Sequence, residues 1–180
     1  MSQQMSEQKR SYKSTLNLPR TAFAKKANLV QNEPASMKRW AKMGLYQKTR
    51  EARKDNPRYV FHDGPPYANG SIHLGHLLNK VLKDFVVRSR TMAGYDVPYT
   101  PGWDCHGLPI EHKVMQDLGD QARDMPPLQI RRKCKKYANK FVKVQSKQMQ
   151  RLLTLADYDQ PYLTMDPHYE AAVLDVFAEL

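Results

Sequence analysis

Long apolar runs are missing from these 180 residues. No stretch approaches the roughly 18 consecutive apolar residues that a membrane-spanning helix needs. The first ten residues, Met1 to Arg10, also lack the apolar segment of a secretory signal. Being basic and poor in acid, they leave an organellar transit peptide as the alternative to plain cytoplasmic residence. Only two cysteines occur, Cys105 and Cys134. That is too few for a disulfide framework and suits a reducing cytoplasm. Internal repeats, low-complexity tracts and linkers are absent too, so one domain is expected.

Acid is scarce in one region above all. Between Arg123 and Arg151 ten basic residues face a single acid, Asp124, and they supply most of the net charge of +11. A basic helix is either a solvated face or an attractor for a polyanion, because a one-signed face raises the local potential and loses its hold as salt rises. Both readings stay open on the sequence alone.

What is present is a series of strongly patterned helices. Residues 1–14 read as a mobile tail, and Ser14–Leu18 as a short extended piece closed by Pro19. A helix is expected from about Pro34, suited to a first turn, to Arg53, with Met37, Trp40, Ala41 and Leu45 as its apolar stripe. Asp55-Asn56-Pro57 breaks it, and a strand over Arg58–His62 follows. After a Gly- and Pro-rich loop, Ser71 is the expected N-cap of a helix ending at Gly94. Leu74, Leu77, Leu78, Val81, Leu82, Phe85 and Val86 mark its buried face. His73, His76 and Lys80 border that face. Tyr95–Thr100 is extended but too proline-rich to pair fully. Helices are expected from Pro109 to Leu118, with a loop from Asp120 to Pro126, and from Pro127 to Leu153. The apolar stripe of the long helix is Ile130, Cys134, Tyr137, Phe141 and Val144. Tyr162–Met165 is extended, and Asp166-Pro167 opens a last helix with Val173, Val176, Phe177 and Leu180 on one face. That periodicity runs to Leu180 without a capping glycine or polar tail, the pattern of a longer protein cut short.

Chemistry concentrates in two loops. In His62-Asp63-Gly64-Pro65-Pro66-Tyr67-Ala68-Asn69-Gly70-Ser71-Ile72-His73-Leu74-Gly75-His76, a strand, a tight loop and a helix N-terminus follow in turn. That order builds an anion site from unpaired N–H groups and the positive end of the helix dipole. His73 and His76, three residues apart, project from one side. They suit hydrogen bonding to phosphate oxygens as charge develops. A glycine in a first helical turn costs about 1 kcal/mol relative to alanine, so Gly75 suggests the close approach of something flat, such as a nucleotide base. As an isolated pair the histidines also read as surface residues, and no third ligand lies at a telling metal spacing. The second loop, Pro101-Gly102-Trp103-Asp104-Cys105-His106-Gly107-Leu108-Pro109, places a carboxylate among glycines and a tryptophan, where it pairs well with a cation.

His73-Leu74-Gly75-His76 resembles the HIGH signature of class I aminoacyl-tRNA synthetases. With its flanks and with Pro101–Glu111, Tyr12–Pro19 and Pro161–Asp166, the chain closely resembles the isoleucyl-tRNA synthetase family along nearly its whole length after the first ten residues. Methionyl enzymes share the Pro66–His76 stretch but not the Gly102–Gly107 loop. Valyl and leucyl enzymes differ around Tyr67–Asn69 and Trp103-Asp104.

The resemblance implies an α/β fold. Residues 15–180 would form the first half of a Rossmann-like catalytic domain with an N-terminal helical extension. It implies ATP, accompanied by Mg²⁺, as substrate, L-isoleucine and tRNA-Ile as partners, and a monomer at full length. Pro66, Tyr67, Ala68, Asn69, Gly70, Ser71, Ile72, His73, Leu74, Gly75 and His76 would line the nucleotide, with His73 and His76 stabilising the α-phosphate and Gly75 under the adenine. Gly64, Pro65 and Asp104 would receive the amino acid, Asp104 holding its ammonium group. Cys105 and His106 are not expected to bind zinc. The family's KMSKS loop, editing insertion, anticodon-binding helices and C-terminal zinc segment are not among these residues. The alternative is a non-catalytic nucleotide- or RNA-binding module derived from such an enzyme.

Overall fold

A computed structural model describes residues 11–17, 22 and 26–180. The tail residues 1–10, the transit-peptide alternative, and Leu18 and Pro19 of the first extended piece lie outside that set. Ser14 and Thr15, expected to be extended, instead belong to a single 3₁₀ turn over Lys13–Thr15. The turn closes through the Thr15 amide and hydroxyl on the Tyr12 carbonyl, at 3.1 and 2.8 Å.

Two helices precede the first loop, α1 (Leu29–Met43) and α2 (Leu45–Glu51). Expected as one helix opening at Pro34, they differ at both ends. The chain turns earlier because Asn28 carries the first turn. Its carbonyl accepts from Gln31 and Asn32, and the Asn32 side chain donates to the Ala27 carbonyl at 2.5 Å. Pro34 thus sits inside α1. Gly44, in the left-handed region at φ 60°, separates the two helices, a conformation glycine adopts without a steric cost.

The sheet is parallel and short. Strands β1 (Gly102–Trp103) and β2 (Tyr162–Leu163) pair in the register Gly102 with Tyr162 and Trp103 with Leu163. On either side of β1, parallel bridges join Arg58 to Asp96 and Tyr67 to Asp104. The expected strand over Arg58–His62 is therefore reduced to one bridge. Its neighbour, Tyr95–Pro101, carries prolines at 98 and 101 and cannot donate a continuous ladder. Three extended segments nonetheless run side by side, joined by helical crossovers, as in the first part of a Rossmann-like α/β fold.

The first crossover is α3 (Leu74–Met92); the second contains α4 (Leu108–Leu118), a 3₁₀ turn over Gly119–Ala122 and α5 (Pro127–Arg151). The last helix is α6 (Pro167–Ala178), with Asp166 at its N-cap. The expected α5 stripe lies at the edge of the buried side: its five residues are half-buried, and the residues that α5 buries are Ala138, Val142, Gln145 and Met149. Cys134, Tyr137 and Phe141 lie against a core of Ala68, Trp103, Cys105, Ile110, Val114, Ala138, Val142, Met149 and Met165. The Asp120–Pro126 loop is partly helical at its start.

The α3 expectation is overturned. Its periodic stripe faces solvent, with Leu74, Leu78, Leu82 and Phe85 between 53% and 77% exposed. The buried residues of α3 are Lys80 and Val87. Lys80 therefore lies inside and does not merely border the core. The physical reason is that a buried carboxylate, Asp63, draws that face inward, while no described element covers the leucines. The α6 stripe of Val173, Val176, Phe177 and Leu180 is exposed in the same way.

Candidate active site

Helix α3 begins at the expected loop, but His73, not Ser71, is its N-cap. The two histidines cap the helix reciprocally. The Gly75 amide donates to Nδ1 of His73 at 3.1 Å, and the His73 amide donates to Nδ1 of His76 at 3.2 Å. This is the logic of the Ser-x-x-Glu capping box carried out with imidazoles. Ser71, lacking this partnership, stays exposed.

The arrangement fixes a tautomer. A neutral imidazole has one donor and one acceptor nitrogen. With each Nδ1 accepting, each Nε2 carries the proton and is a donor. Burial, then the neighbouring His73 and Lys80, holds the His76 pKa below its ordinary value, which favours the neutral imidazole. The rings lie 3.9 Å apart between centroids. No acidic residue stands in the first turn of α3 to offset the dipole. Two N–H donors and an uncompensated helix N-terminus can together receive an anion.

Gly75 has a local reason as well. A Cβ there would lie 2.9 Å from Cε1 and 3.1 Å from Nδ1 of His73. The glycine makes room for the capping imidazole.

The two loops meet through the backbone. The Asp104 amide donates to the Pro66 carbonyl and the Ala68 amide to the Asp104 carbonyl, both at 2.8 Å. Ala68 is fully buried beside Trp103. The Asp104 carboxylate accepts from the Thr164 hydroxyl at 3.3 Å and from the His106 amide at 3.4 Å. Asn69 accepts from Tyr137 at 2.7 Å and donates to the Pro109 carbonyl at 3.2 Å. Gly70 turns the chain at φ +76°. Pro66 to Ala68 and Asp104 are thus brought together. Pro65 is half-buried, Gly64 and Tyr67 are exposed, and the Leu74 side chain points to solvent.

Several structural partners escaped the sequence reading. Gln145 of α5, fully buried, donates to the Tyr67 and Gly70 carbonyls at 3.0 Å each and accepts from the Trp103 indole at 3.0 Å. It is the hub between the loops. Gln148 accepts from the Ile72 amide at 2.9 Å. The signal for Gln145 was a polar residue standing between Val142 and Met149 on the core face of α5.

Asp63 is fully buried and bonded to Lys80 at 2.5 Å, Lys83 at 2.6 Å and the Gly102 amide at 3.2 Å. Burial alone would raise its pKa, but the two ammonium groups outweigh this and hold the carboxyl below its ordinary value. Burial, partly countered by Asp63, lowers the pKa of Lys80. Tyr162 closes the cluster. Its hydroxyl donates to the Asp63 carbonyl at 2.7 Å, and its ring lies where any Gly102 Cβ would be, 2.0 Å from the ring carbon Cζ. Only glycine fits at 102.

The isoleucine–tRNA ligases of Kosmotoga olearia and Thermotoga neapolitana are each 54% identical over 169 residues, and that of Brachyspira hyodysenteriae is 50% identical. Each alignment covers 94% of this chain and 18% of the relative, so the chain spans less than a fifth of their length. The LeuRS of Agrobacterium radiobacter K84, solved as a ternary complex with tRNA and LeuAMS, superposes with a TM-score of 0.64 at 18% identity, over 86% of this chain and 18% of that one. The likeness to LeuRS supports the fold alone. Residues 35–180 match the model of the tRNA synthetases class I (I, L, M and V), and the chain belongs to that family.

Proposed function

We propose that the chain is the amino-acid-activating part of an isoleucine–tRNA ligase, with residues 15–180 forming a portion of its catalytic domain. The observation that carries the reading is the reciprocal histidine cap. It leaves two Nε2–H donors at the head of α3, directly after a loop whose backbone is paired to Asp104.

On this reading the ATP α-phosphate sits at the α3 N-terminus and the adenine near Gly75. The nucleotide is followed by the stretch Pro66, Tyr67, Ala68, Asn69, Gly70, Ser71, Ile72, His73, Leu74, Gly75 and His76. Isoleucine lies beside Gly64 and Pro65, its ammonium on the Asp104 carboxylate. Its carboxylate oxygen forms a bond to the α-phosphorus as the bond to the β-phosphate oxygen breaks. Pyrophosphate leaves with that electron pair, and the His73 and His76 N–H groups stabilise the charge on the non-bridging oxygens. The acyl group then passes to a hydroxyl of the tRNA-Ile terminus and AMP departs. Mg²⁺ would enter with the ATP phosphates and offset their charge. We place the protein in the cytoplasm as a monomer at full length.

The test is isoleucine-dependent exchange of pyrophosphate into ATP by the full-length protein. His76→Ala is expected to lower kcat about 10²–10³-fold, whereas the isolated 180 residues exchange slowly. Unchanged exchange in His76→Ala overturns the histidine role. ATP binding without any isoleucine-dependent exchange favours the non-catalytic module.

A further inference from the structure

Helix α5 contains no acidic residue. At 100° per residue, Arg132, Lys133, Lys136, Lys140, Lys143, Lys147 and Arg151 fall within a sector of about 100° that runs for about 28 Å. All seven are exposed. The buried residues of the same helix, Ala138, Val142, Gln145 and Met149, occupy the opposite side. Among the described residues, Arg151 alone of the seven has an acidic partner, Glu33 at 2.7 Å. Lys140 leans over the Phe141 ring, 5.3 Å from its centroid. A ladder of like charges repels itself and is not a device for stability.

We propose that this face of α5 is a docking surface for the phosphate backbone of a double-helical RNA stem. The choice of RNA rests on the proposed function; the charge complementarity does not. Three features point to a duplex backbone. Five of the seven cations are lysines, compact point charges that suit phosphates and lack the rigid bidentate fork of arginine. The aromatic residues of α5, Tyr137 and Phe141, pack against the core, so the stripe has no platform on which single-stranded bases can stack. The apolar side of α5 is already buried, so the helix cannot insert into a lipid surface as an interfacial helix does.

The experiment measures binding of the 180-residue chain to a fluorescent RNA stem-loop of arbitrary sequence by anisotropy, between about 50 and 200 mM salt. ATP and isoleucine are omitted, so exchange activity plays no part in the result. Wild type is expected to show a slope of log K against log salt of about −4 to −6. Neutralising Lys136, Lys140, Lys143 and Lys147 to Gln is expected to make that slope shallower by about 3 and to weaken low-salt binding about 10²-fold. A matched control neutralises Lys38, Lys42, Lys48 and Lys54, which are exposed on and just after α1 and α2. It keeps the wild-type slope, and far-UV circular dichroism checks that both variants fold. An unchanged slope in the α5 variant overturns the proposal, as does an equal loss in the control. Tighter binding to single-stranded RNA or to phosphatidylserine vesicles than to the stem-loop also overturns it. None of these failures bears on the histidine site, which pyrophosphate exchange tests separately.

Discussion

Helices α3 and α5 carry equally regular apolar stripes, yet only that of α5 is covered. On α5, Val142 and Met149 are buried and Tyr137 and Phe141 pack against the core. On α3 the leucine stripe faces solvent, and the helix is held instead by an ion cluster on Asp63 and by Val87. Periodicity states which side of a helix is able to be buried. Which side is buried depends on what stands opposite, and for α3 the deciding neighbour is a carboxylate at residue 63. An exposed leucine row of this kind is also a surface on which other protein can pack.

The sharpest way to break the contrast is to remove that carboxylate. Asp63→Leu leaves Lys80 buried without its counter-charge and is expected to cost about 4 kcal/mol in urea unfolding. A cost below about 1 kcal/mol would mean that α3 is not held by its ions. Met149→Ala empties a fully buried position on α5 and is expected to cost about 3 kcal/mol through lost burial and a cavity.

The two helices also differ in their response to acid. The folded Asp63 pKa is lowered, so its contribution is fully present above the unfolded value of about 3.9 and is lost as pH falls through the folded value. Urea midpoints are therefore expected to drop below about pH 4 in wild type, and to drop less steeply in Asp63→Asn. Met149→Ala lowers the whole profile without changing its shape. The smallest effect is expected at Leu82→Ala on α3, within about 0.5 kcal/mol of wild type, because that side chain is already half exposed. A loss comparable to Met149→Ala would show that the stripe is covered in solution.

Much of the site was legible in local pattern. The two loops, the helix that follows the first, the basic face of α5 and the proline-limited pairing of Tyr95–Thr100 all depend on neighbours within a few residues. The rest depends on residues far apart in the chain. Asp63 meets Lys80, Lys83 and Gly102, and Gln145 meets Trp103 and the Tyr67 and Gly70 carbonyls. These partners stand 17 to 78 residues apart, beyond the reach of any helix or strand period. Ser71 was the natural choice of cap by residue type. It lost to His73 because a second imidazole three residues on completes a reciprocal pair, a solution that cap preferences do not anticipate.

The ring of Tyr162 over Gly102, with its hydroxyl on the Asp63 carbonyl, has a consequence for timing. The first loop leaves the ribosome about 100 residues before the side chain that latches it, a delay of roughly 5–20 s at about 5–20 residues per second. During that interval the histidine cap can form, since all its atoms lie within four residues. The floor beneath it cannot. A nascent chain arrested before Tyr162 is thus expected to carry a formed helix head on an unlatched loop, and synthesis of the third extended segment is the event that locks the pocket.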